Sequence, residues 1–209
     1  LSGTIARLDR KAPEYGRGRY NDFNTFYLQA ASGTSGGSSG SPVINIDGEV
    51  VALNAGANNA AASSFFLPLD RVDRALQLIR EGKPVTRGTL QTMFERKAYD
   101  ELKRLGLTDE SERLVRSRFP ELTGMLTVEQ VIPQSAADGK LAPGDVLLRV
   151  NGELVTEFVP LASVLDDYVG REIEIEVERG GVAKNYTIKV DDLHAITPDE
   201  FIEVGEKGA

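Results

Sequence analysis

Over the first eighty residues, apolar and polar side chains alternate in short runs, a pattern typical of half-buried β-strands. Five such runs are interpreted as strands: residues 3–8, 25–29, 43–46, 49–54 and 64–67. Asp47-Gly48 lies between the third and fourth runs, and Asp-Gly is a preferred hairpin turn. After Asp70 the apolar residues follow helical spacing until Gly82. The pattern therefore predicts an all-β unit that ends in one helix.

The remainder of the chain mixes helical and strand patterns. Strands are predicted at residues 90–94, 125–131, 145–150, 172–178 and 185–190. One short helix is predicted to end near Gly106, and a second, over residues 161–168, to end at Gly170. This pattern predicts a second unit of mixed α/β architecture.

Charge changes at the same place as the pattern. Residues 1–87 carry 10 basic and 8 acidic side chains, whereas residues 88–209 carry 14 and 24. The change falls beside Glu81-Gly82-Lys83-Pro84, where Gly and Pro are typical of a linker. The predicted organisation is therefore a first unit over residues 1–82, a linker over 83–87, a second unit over 88–192 and a tail over 193–209.

The composition excludes several kinds of site. The 209 residues include no Cys and one His, which excludes disulfides, thiolate and multi-histidine metal sites and a cysteine nucleophile. A net charge of −8 argues against a surface that neutralises nucleic-acid phosphates. No uninterrupted apolar stretch approaches the roughly eighteen residues of a membrane span. We expect no metal, no cofactor, no nucleic-acid partner and no membrane contact.

Residues 33–41 consist almost entirely of Gly, Ser and Thr. By composition alone such a stretch is typical of a flexible linker. This stretch, however, lies between two predicted strands of a single unit. A nucleophilic Ser must be presented on a tight turn whose N–H groups face a developing oxyanion, and glycines permit such a turn. A nucleophile turn at Gly37-Ser38-Ser39-Gly40-Ser41 is therefore the second interpretation.

This run resembles the Gly-Xaa-Ser-Gly-Gly-Pro nucleophile loop of trypsin-like serine proteases. Phe26-Tyr27-Leu28-Gln29, residues 43–54 and Ser64-Phe65-Phe66-Leu67-Pro68 are similar to strands of the HtrA family. Residues 34–43 are similar to the fungal nuclear, pro-apoptotic branch of that family, whose members have duplicated protease and PDZ units. The resemblance extends to about residue 192. It implies the all-β half of a trypsin-like double β-barrel, with its C-terminal helix, followed by an α/β PDZ domain.

The resemblance implies a role for several residues around the loop. Ser39 is the nucleophile rather than Ser35, because Pro42 lies three residues after Ser39 and Gln29 lies ten residues before it. The N–H groups of Gly37 and Ser39 form the oxyanion hole. The residues implied to bind substrate are Gly33, Leu53, Asn54, Ala55 and Phe65. Because none of them is acidic, we expect a small or aliphatic residue before the scissile bond.

A serine nucleophile needs a neighbouring imidazole and an orienting carboxylate. The single histidine, His194, lies in the predicted tail and is expected to be an ordinary solvated residue. In the trypsin-like fold the His and Asp come from the first barrel, to which no part of this chain is similar. We therefore expect these two residues to lie upstream of this chain, and the chain alone to be inactive.

Residues 135–152 resemble the Gly-Asp-Val-Leu and Asn-Gly signature of HtrA-type PDZ domains. The resemblance implies that a peptide adds as a strand and that its carboxylate meets N–H groups of the preceding loop. The implied peptide-binding residues are Arg87, Thr89, Leu90, Gln91 and Thr92 in that loop and Leu161, Leu165 and Tyr168 on the opposite helix. Gln91 and Thr92 carry side chains where the family has Gly. The helical spacing of the last three residues fits a core face equally well.

Together these resemblances imply part of an HtrA-like serine endopeptidase with roles in protein quality control, as a protease and chaperone, and in apoptosis. The expected partners are polypeptide substrates and C-terminal or internal peptides, and HtrA proteins commonly form homo-oligomers, often trimers. The expected location is the nucleus, with the bacterial periplasm as the alternative. The alternative function is a non-catalytic PDZ scaffold with a degenerate protease half.

Overall fold

The computed structural model describes residues 2–11, 26–33, 37–58 and 63–196. The alternative nucleophile, Ser35, and the tail beyond Ile196 lie outside these ranges. None of the helices within the described ranges is long and apolar enough to cross a membrane.

The described residues of the first unit form a five-stranded antiparallel sheet, in agreement with the alternating pattern. Its strands are β1 (Ile5–Lys11), β2 (Phe26–Ala30), β3 (Pro42–Ile44), β4 (Val50–Asn58) and β5 (Ser63–Pro68). Their order across the sheet is β1-β2-β5-β4-β3, so β1 and β3 form its edges. The predicted trailing helix is α1 (Leu69–Arg80).

The hairpin between β3 and β4 is closed by Asn45. The Oδ1 atom of Asn45 accepts hydrogen bonds from the N–H groups of Asp47 and Glu49, both at 2.9 Å. Gly48 has φ +83°, a conformation that favours glycine. The predicted hairpin is confirmed, but its loop is longer than Asp47-Gly48, because β3 ends at Ile44 and the Gly48 N–H donates to the Asn45 carbonyl at 3.2 Å. This hairpin brings β4 alongside the residues that precede β3.

The second unit contains a larger antiparallel sheet together with four helices. Its strands are β6 (Gly88–Thr89), β7 (Thr92–Ala98), β8 (Gly124–Val131), β9 (Val146–Val150), β10 (Glu153–Leu154), β11 (Glu172–Arg179), β12 (Val182–Lys189) and β13 (Asp191–Asp192). Its helices are α2 (Tyr99–Leu105), α3 (Asp109–Arg118), α4 (Phe158–Asp167) and α5 (Leu193–Ile196). The sheet order is β12-β11-β9-β8-β7, with β10 beside β9, while β6 pairs with β13.

The first predicted strand of this unit differs from the observed one. The sequence predicts one strand over residues 90–94, whereas β6 and β7 are separated by Leu90 and Gln91. Gln91 has φ +52°, which an extended strand does not allow. The chain therefore bends there, and β7 starts at Thr92.

Alternate residues of the large sheet enter two cores, one on each face. Leu147 belongs to the cluster that contains Leu161 of α4, whereas the next residue, Leu148, belongs to the cluster that contains Leu102 of α2. The first of these clusters also contains Phe26 of β2. A side chain of the first sheet thus completes a core of the second unit.

Helix α4 contacts the first unit at both of its ends. At its C-terminal end, an Nη atom of Arg71 lies 2.8 Å from Asp166 Oδ2, and Arg74 Nε lies 3.0 Å from Asp167 Oδ1. At its N-terminal end, it contacts Asp9 of strand β1. The two units are therefore joined by side-chain contacts as well as by the predicted linker.

Candidate functional site

Ser39 lies in a tight turn immediately before strand β3. The N–H of Ser41 donates to the carbonyl of Ser38 at 3.1 Å, which closes a four-residue turn. Gly40, the third residue of the turn, has φ +81°. A type II turn requires this conformation at its third position, and glycine adopts it without strain. Ser39 therefore occupies the second position of the turn, where it is exposed.

Strand β4 fixes this turn through Asn54. The Asn54 side-chain amide donates to the carbonyl oxygen and to the hydroxyl of Ser38, both at 2.9 Å. The Asn54 carbonyl accepts the N–H of Gly40 at 2.7 Å, and its N–H donates to the Ser41 carbonyl at 2.9 Å. Asn54 is itself buried, so four hydrogen bonds join the turn to a residue with little freedom.

The N–H groups of the turn fall into two classes. Those of Gly40 and Ser41 are used within the sheet and the turn. Within the part of the chain that the structure describes, the N–H groups of Gly37 and Ser39 donate no hydrogen bond to another residue. Gly37 has φ +89°, and a side chain there would meet open space, so its backbone conformation and not crowding favours glycine. These two N–H groups lie on either side of Ser38 in the sequence.

The other side of the Gly/Ser segment is held by strand β5. The hydroxyl of Ser64 donates to the carbonyl of Ser32 at 2.8 Å, and Gln29 Nε2 donates to the Ser63 hydroxyl at 3.1 Å. Both ends of the segment are therefore attached to one sheet, which differs from a linker between independent units.

The residues predicted to bind substrate occupy different environments. Gly33 is exposed, and a Cβ atom there would contact nothing within 4 Å. Leu53 and Ala55 are half-buried. Phe65 is buried and packs edge-on against Tyr27. Asn54 supports the turn, as described above, so its side-chain amide is directed at Ser38.

His194 lies far along the chain in the short helix α5. Its N–H donates to Asp192 Oδ1 at 3.1 Å, and its side chain borders a cavity of about 220 Å³ with Leu67, Arg71 and Arg74. The imidazole is exposed. Its described surroundings therefore belong to the second unit, to the end of strand β5 and to helix α1.

A second candidate site is an apolar groove between α4 and the segment that carries β6 and β7. Two of the predicted peptide-binding residues on α4, Leu161 and Leu165, line it together with Arg87 and Thr89. Both leucines are also buried core residues. Tyr168 lies at the end of α4, where the Arg171 guanidinium covers its ring at 4.1 Å.

The loop predicted to bind a carboxylate is held by internal contacts. The N–H of Gln91 donates to the Thr89 hydroxyl at 2.9 Å, and Gln91 Nε2 donates to Asp191 Oδ2 at 3.1 Å. The Thr92 hydroxyl donates to the carbonyl of Leu90, and both residues are buried. Side chains thus occupy the positions at which the family has glycine.

Arg87 has a charge partner in Asp166. Its Nη1 lies 3.4 Å from Asp166 Oδ2, and Asp166 Oδ1 accepts the N–H of Gly88 at 2.8 Å. Burial raises the pKa of the Asp166 carboxyl, although Arg87 and the Gly88 N–H both act to lower it. A Cβ atom at Gly88 would lie 2.0 Å from the Leu165 carbonyl oxygen, so only glycine allows this close approach of β6 to α4.

Asp9 caps the other end of α4. Its Oδ2 accepts the N–H of Phe158 at 2.9 Å, and its Oδ1 is buried without a hydrogen-bond partner among the described residues. Burial raises the pKa of Asp9 to about 6, and Glu157 acts in the same direction, while the Phe158 N–H lowers it. Asp9 and Phe26 were not identified as functional candidates, because their contacts join distant segments and leave no local pattern.

The comparisons with known proteins match both parts of the chain. The family model described as a trypsin-like peptidase domain matches residues 1–53. A pro-apoptotic serine protease of Aspergillus oryzae is 57% identical over 205 residues, which are 98% of this chain and 20% of that protein. Protease Do-like 7 of Arabidopsis thaliana is 55% identical over 215 residues, again 98% of this chain and 20% of that protein.

Solved structures show the same fold at lower identity. The HtrA-type protease AlgW with a decapeptide matches with a TM-score of 0.54 and 22% identity, covering 91% of this chain and 55% of that one. AlgW with a tripeptide matches with a TM-score of 0.53 and 24% identity, covering 91% and 59%. The chain spans about a fifth of the length of the curated relatives it matches. Along nearly all of its length the chain is therefore similar in sequence to these serine proteases, and its fold is similar to that of HtrA-type proteases.

Proposed function

We propose that this chain carries the nucleophile half of a serine endopeptidase domain, with Ser39 as the nucleophile. The observation that carries the proposal is the tight turn of Ser38 to Ser41, which exposes Ser39 and is joined to a buried residue of the same sheet. A hydroxyl held on such a turn can attack a peptide carbonyl, with its proton passing to a base.

The negative charge that forms on the carbonyl oxygen is stabilised by the N–H groups of Gly37 and Ser39. Neither N–H group donates a hydrogen bond to another described residue. One such donor contributes a factor of about 10²–10³ to the rate. The substrate-contacting residues of this proposal are Gly33, Leu53, Ala55 and Phe65. Asn54 is a positioning residue, because it acts through Ser38.

The general base comes from another stretch of polypeptide. His194 is the single histidine of the chain, and its described surroundings are Asp192 and a cavity bordered by Leu67 and Arg71, away from the Ser39 turn in the sequence. The proposed triad His and Asp therefore lie on the first barrel of the family fold. Without them the rate falls by about 10⁶, so the 209-residue chain alone has no measurable peptidase activity.

The test is casein cleavage by a polypeptide that joins this chain to the His- and Asp-bearing barrel. Ser39→Ala is expected to lower kcat by about 10⁶, because it removes the nucleophile. Ser41→Ala is the matched control, since Ser41 contributes only backbone hydrogen bonds to the turn. Full activity of Ser39→Ala, or its loss in Ser35→Ala instead, would contradict the assignment.

We further propose that the second unit is a PDZ domain whose apolar groove, between α4 and the segment that carries β6 and β7, binds peptides. Strand β7 is the last strand of its sheet, so its outer edge can pair with an added strand, and α4 supplies an apolar wall. With this module as a targeting site, the wider proposal is a homo-oligomeric nuclear endopeptidase that acts on polypeptides in quality control and apoptosis. The alternative, a non-catalytic scaffold, predicts that the Ser39→Ala exchange changes nothing.

Peptide binding is tested by fluorescence polarisation with a fluorescein-labelled decapeptide that ends in Phe with a free carboxylate. Ala162→Phe fills the groove with an extra ring, because Ala162 lines it, and is expected to raise Kd at least about tenfold. Ala183→Phe is the matched control on exposed β12. Equal affinity of the two variants for the decapeptide would contradict the groove assignment.

A further inference from the structure

We infer that a cavity between helix α1 and the C-terminal end of helix α4 binds a phosphate group, either as the free ion or as a monoester. The cavity has a volume of about 220 Å³, and of its lining residues only Arg87 also lines the apolar groove. The inference therefore goes beyond proteolysis and peptide binding, and it concerns the junction at which the two units meet.

Three arginines bring positive charge to this cavity. Arg71 and Arg74 lie about one turn apart on α1, and Arg87 directly precedes strand β6. Among the described residues that line the cavity, Asp166 is the one acidic side chain. The imidazole of His194 also borders the cavity. Positive charge therefore exceeds negative charge on its walls.

The guanidinium of Arg71 has a donor that no described residue accepts. Its Nη2 atom lies 2.8 Å from Asp166 Oδ2. Its Nη1 atom is buried and has no hydrogen-bond partner among the described residues. A buried donor that stays unpaired costs free energy, and a charged donor costs more than a neutral one. A bound oxyanion would supply the missing acceptor.

Asp166 cannot supply that acceptor, because both of its oxygens are already used. Its Oδ2 lies 2.8 Å from Arg71 Nη2 and 3.4 Å from Arg87 Nη1. Its Oδ1 accepts the N–H of Gly88 at 2.8 Å. One carboxylate thus serves two guanidiniums and a backbone N–H, so the Nη1 atom of Arg71 needs an acceptor from outside the chain.

Arg74 is held by the protein itself. Its Nε lies 3.0 Å from Asp167 Oδ1, its Nη1 donates to the Thr86 carbonyl at 3.3 Å, and its Nη2 donates to the Asp166 carbonyl at 2.9 Å. These bonds fix the guanidinium between α1 and α4, where its charge still attracts an anion. We therefore expect Arg71 to contact the phosphate and Arg74 to be a positioning residue.

The charge and size of the cavity favour a phosphate group over a carboxylate. A phosphate monoester carries a charge of about −1.5 to −2 at pH 7, and the planar fork of arginine can bind two of its oxygens. One water needs roughly 10–15 Å³, so a cavity of about 220 Å³ has room for a tetrahedral ion and a substituent. Leu67, Ala75 and Val85 form apolar walls, beside which charges interact more strongly than in water.

The experiment measures binding to the 209-residue chain by isothermal titration calorimetry at constant ionic strength. The probes are inorganic phosphate, N-acetyl-phosphoserine amide and acetate. At least one phosphate probe should bind about tenfold or more tightly than acetate, because its charge is larger. The tighter of the two phosphate probes identifies the free ion or the monoester as the preferred form.

Arg71→Gln tests the contact with the anion, and Arg80→Gln is its matched control. Each variant removes one positive charge from α1, but Arg80 is exposed in the last turn and does not line the cavity. Arg71→Gln should raise the Kd for the tighter phosphate probe at least about tenfold, because a charge-assisted hydrogen bond is lost. Arg80→Gln should change it less than about twofold, because an exposed charge is screened by salt.

A second variant leaves all three arginines in place. Ala75 lines the cavity, so the ring of Ala75→Phe should occupy it and raise Kd at least about tenfold without any change of charge. Leu76→Phe is the matched control, because Leu76 is 41% exposed on the same helix. Far-ultraviolet circular dichroism shows whether each variant is folded.

The outcomes decide between a ligand site and a purely structural cluster of charges. Preference for a phosphate probe over acetate, together with weaker binding by Arg71→Gln and by folded Ala75→Phe, supports the inference. Failure of the wild-type chain to bind either phosphate probe overturns it, as do equal Kd values for Arg71→Gln and Arg80→Gln. The arginines would then serve only to join the two units.

Discussion

Among single residues, Asn54 has the closest connection to the position of Ser39. Its side chain and backbone together make four hydrogen bonds to residues 38, 40 and 41. The sequence predicts the turn itself, because glycines and the flanking strands are visible in it. It does not predict that Asn54 holds Ser38, because that contact depends on how β4 pairs across the hairpin.

Replacing Asn54 should therefore affect activity only by changing the position of the turn that carries Ser39. Asn54→Ala removes two side-chain hydrogen bonds from a buried site and is expected to cost about 1–3 kcal/mol in unfolding free energy. In the polypeptide that joins this chain to the His- and Asp-bearing barrel, we expect kcat to fall by about 10²-fold, because a small displacement of the proposed nucleophile greatly lowers the rate of attack. Activity per folded molecule and unfolding by urea are the two measurements.

Asn45→Ala is the control for this prediction. It opens the far end of the same hairpin, where Asn45 holds the turn to Glu49, so it should reduce stability while kcat stays near the wild-type value. Equal losses of kcat in the two variants would show that the hairpin as a whole, and not Asn54, positions the turn.

At the scale of elements, local patterns predict where strands and helices lie and fail where distant segments meet. The five strands of the first sheet, the α1 helix and the Gly106 terminus of α2 lie where periodicity and turn residues place them. The break at Gln91 was missed because its left-handed conformation suits glycine and the sequence has Gln.

Helix α3 shows how partner segments change a local interpretation. Residues 110–121 place three Arg among acidic residues, a pattern typical of a solvated helix face, and helix α3 lies there. Glu112, however, is buried and lies 3.0 Å from Lys103 Nζ and 2.7 Å from Arg116 Nε. The ion pair with Arg116 can be predicted from the sequence, because Arg116 lies four residues after Glu112 on the same helix. The ion pair with Lys103 cannot, because Lys103 lies on α2 and the contact depends on how α2 and α3 pack.

At the scale of the whole molecule, Asp9 makes the contact between the two units depend on pH. Its pKa is about 6 in the folded chain and 3.8 when solvated. The folded state therefore binds the proton more tightly, so the stabilisation is fully present below about pH 4 and is lost as pH rises through 6. Wild type should gain about 1 kcal/mol in unfolding free energy over Asp9→Asn on going from pH 7.5 to pH 5.

Urea unfolding of both proteins at the two pH values measures this difference. Asp9→Asn keeps an oxygen that can accept the Phe158 N–H, but its amide does not titrate. The effects of all other carboxylates on the unfolding free energy are the same in both proteins and cancel in the comparison. If the unfolding free energies of the two proteins changed by the same amount between the two pH values, Asp9 would not be the source of the pH dependence.

The attachment of α4 at both ends has a mechanical consequence. Helix α4 is held at its N-terminus by the hydrogen bond from the Phe158 N–H to Asp9 and at its C-terminus by the ion pairs of Arg71 and Arg74. It cannot rotate about one end while the contacts at the other end remain. A large movement of α4 away from the groove therefore requires that either the Asp9 hydrogen bond or the two ion pairs break first. Asp9 lies on β1, an edge strand, whereas Arg71 and Arg74 lie on α1, which follows the central strand β5, so the two contacts connect α4 to different parts of the first sheet.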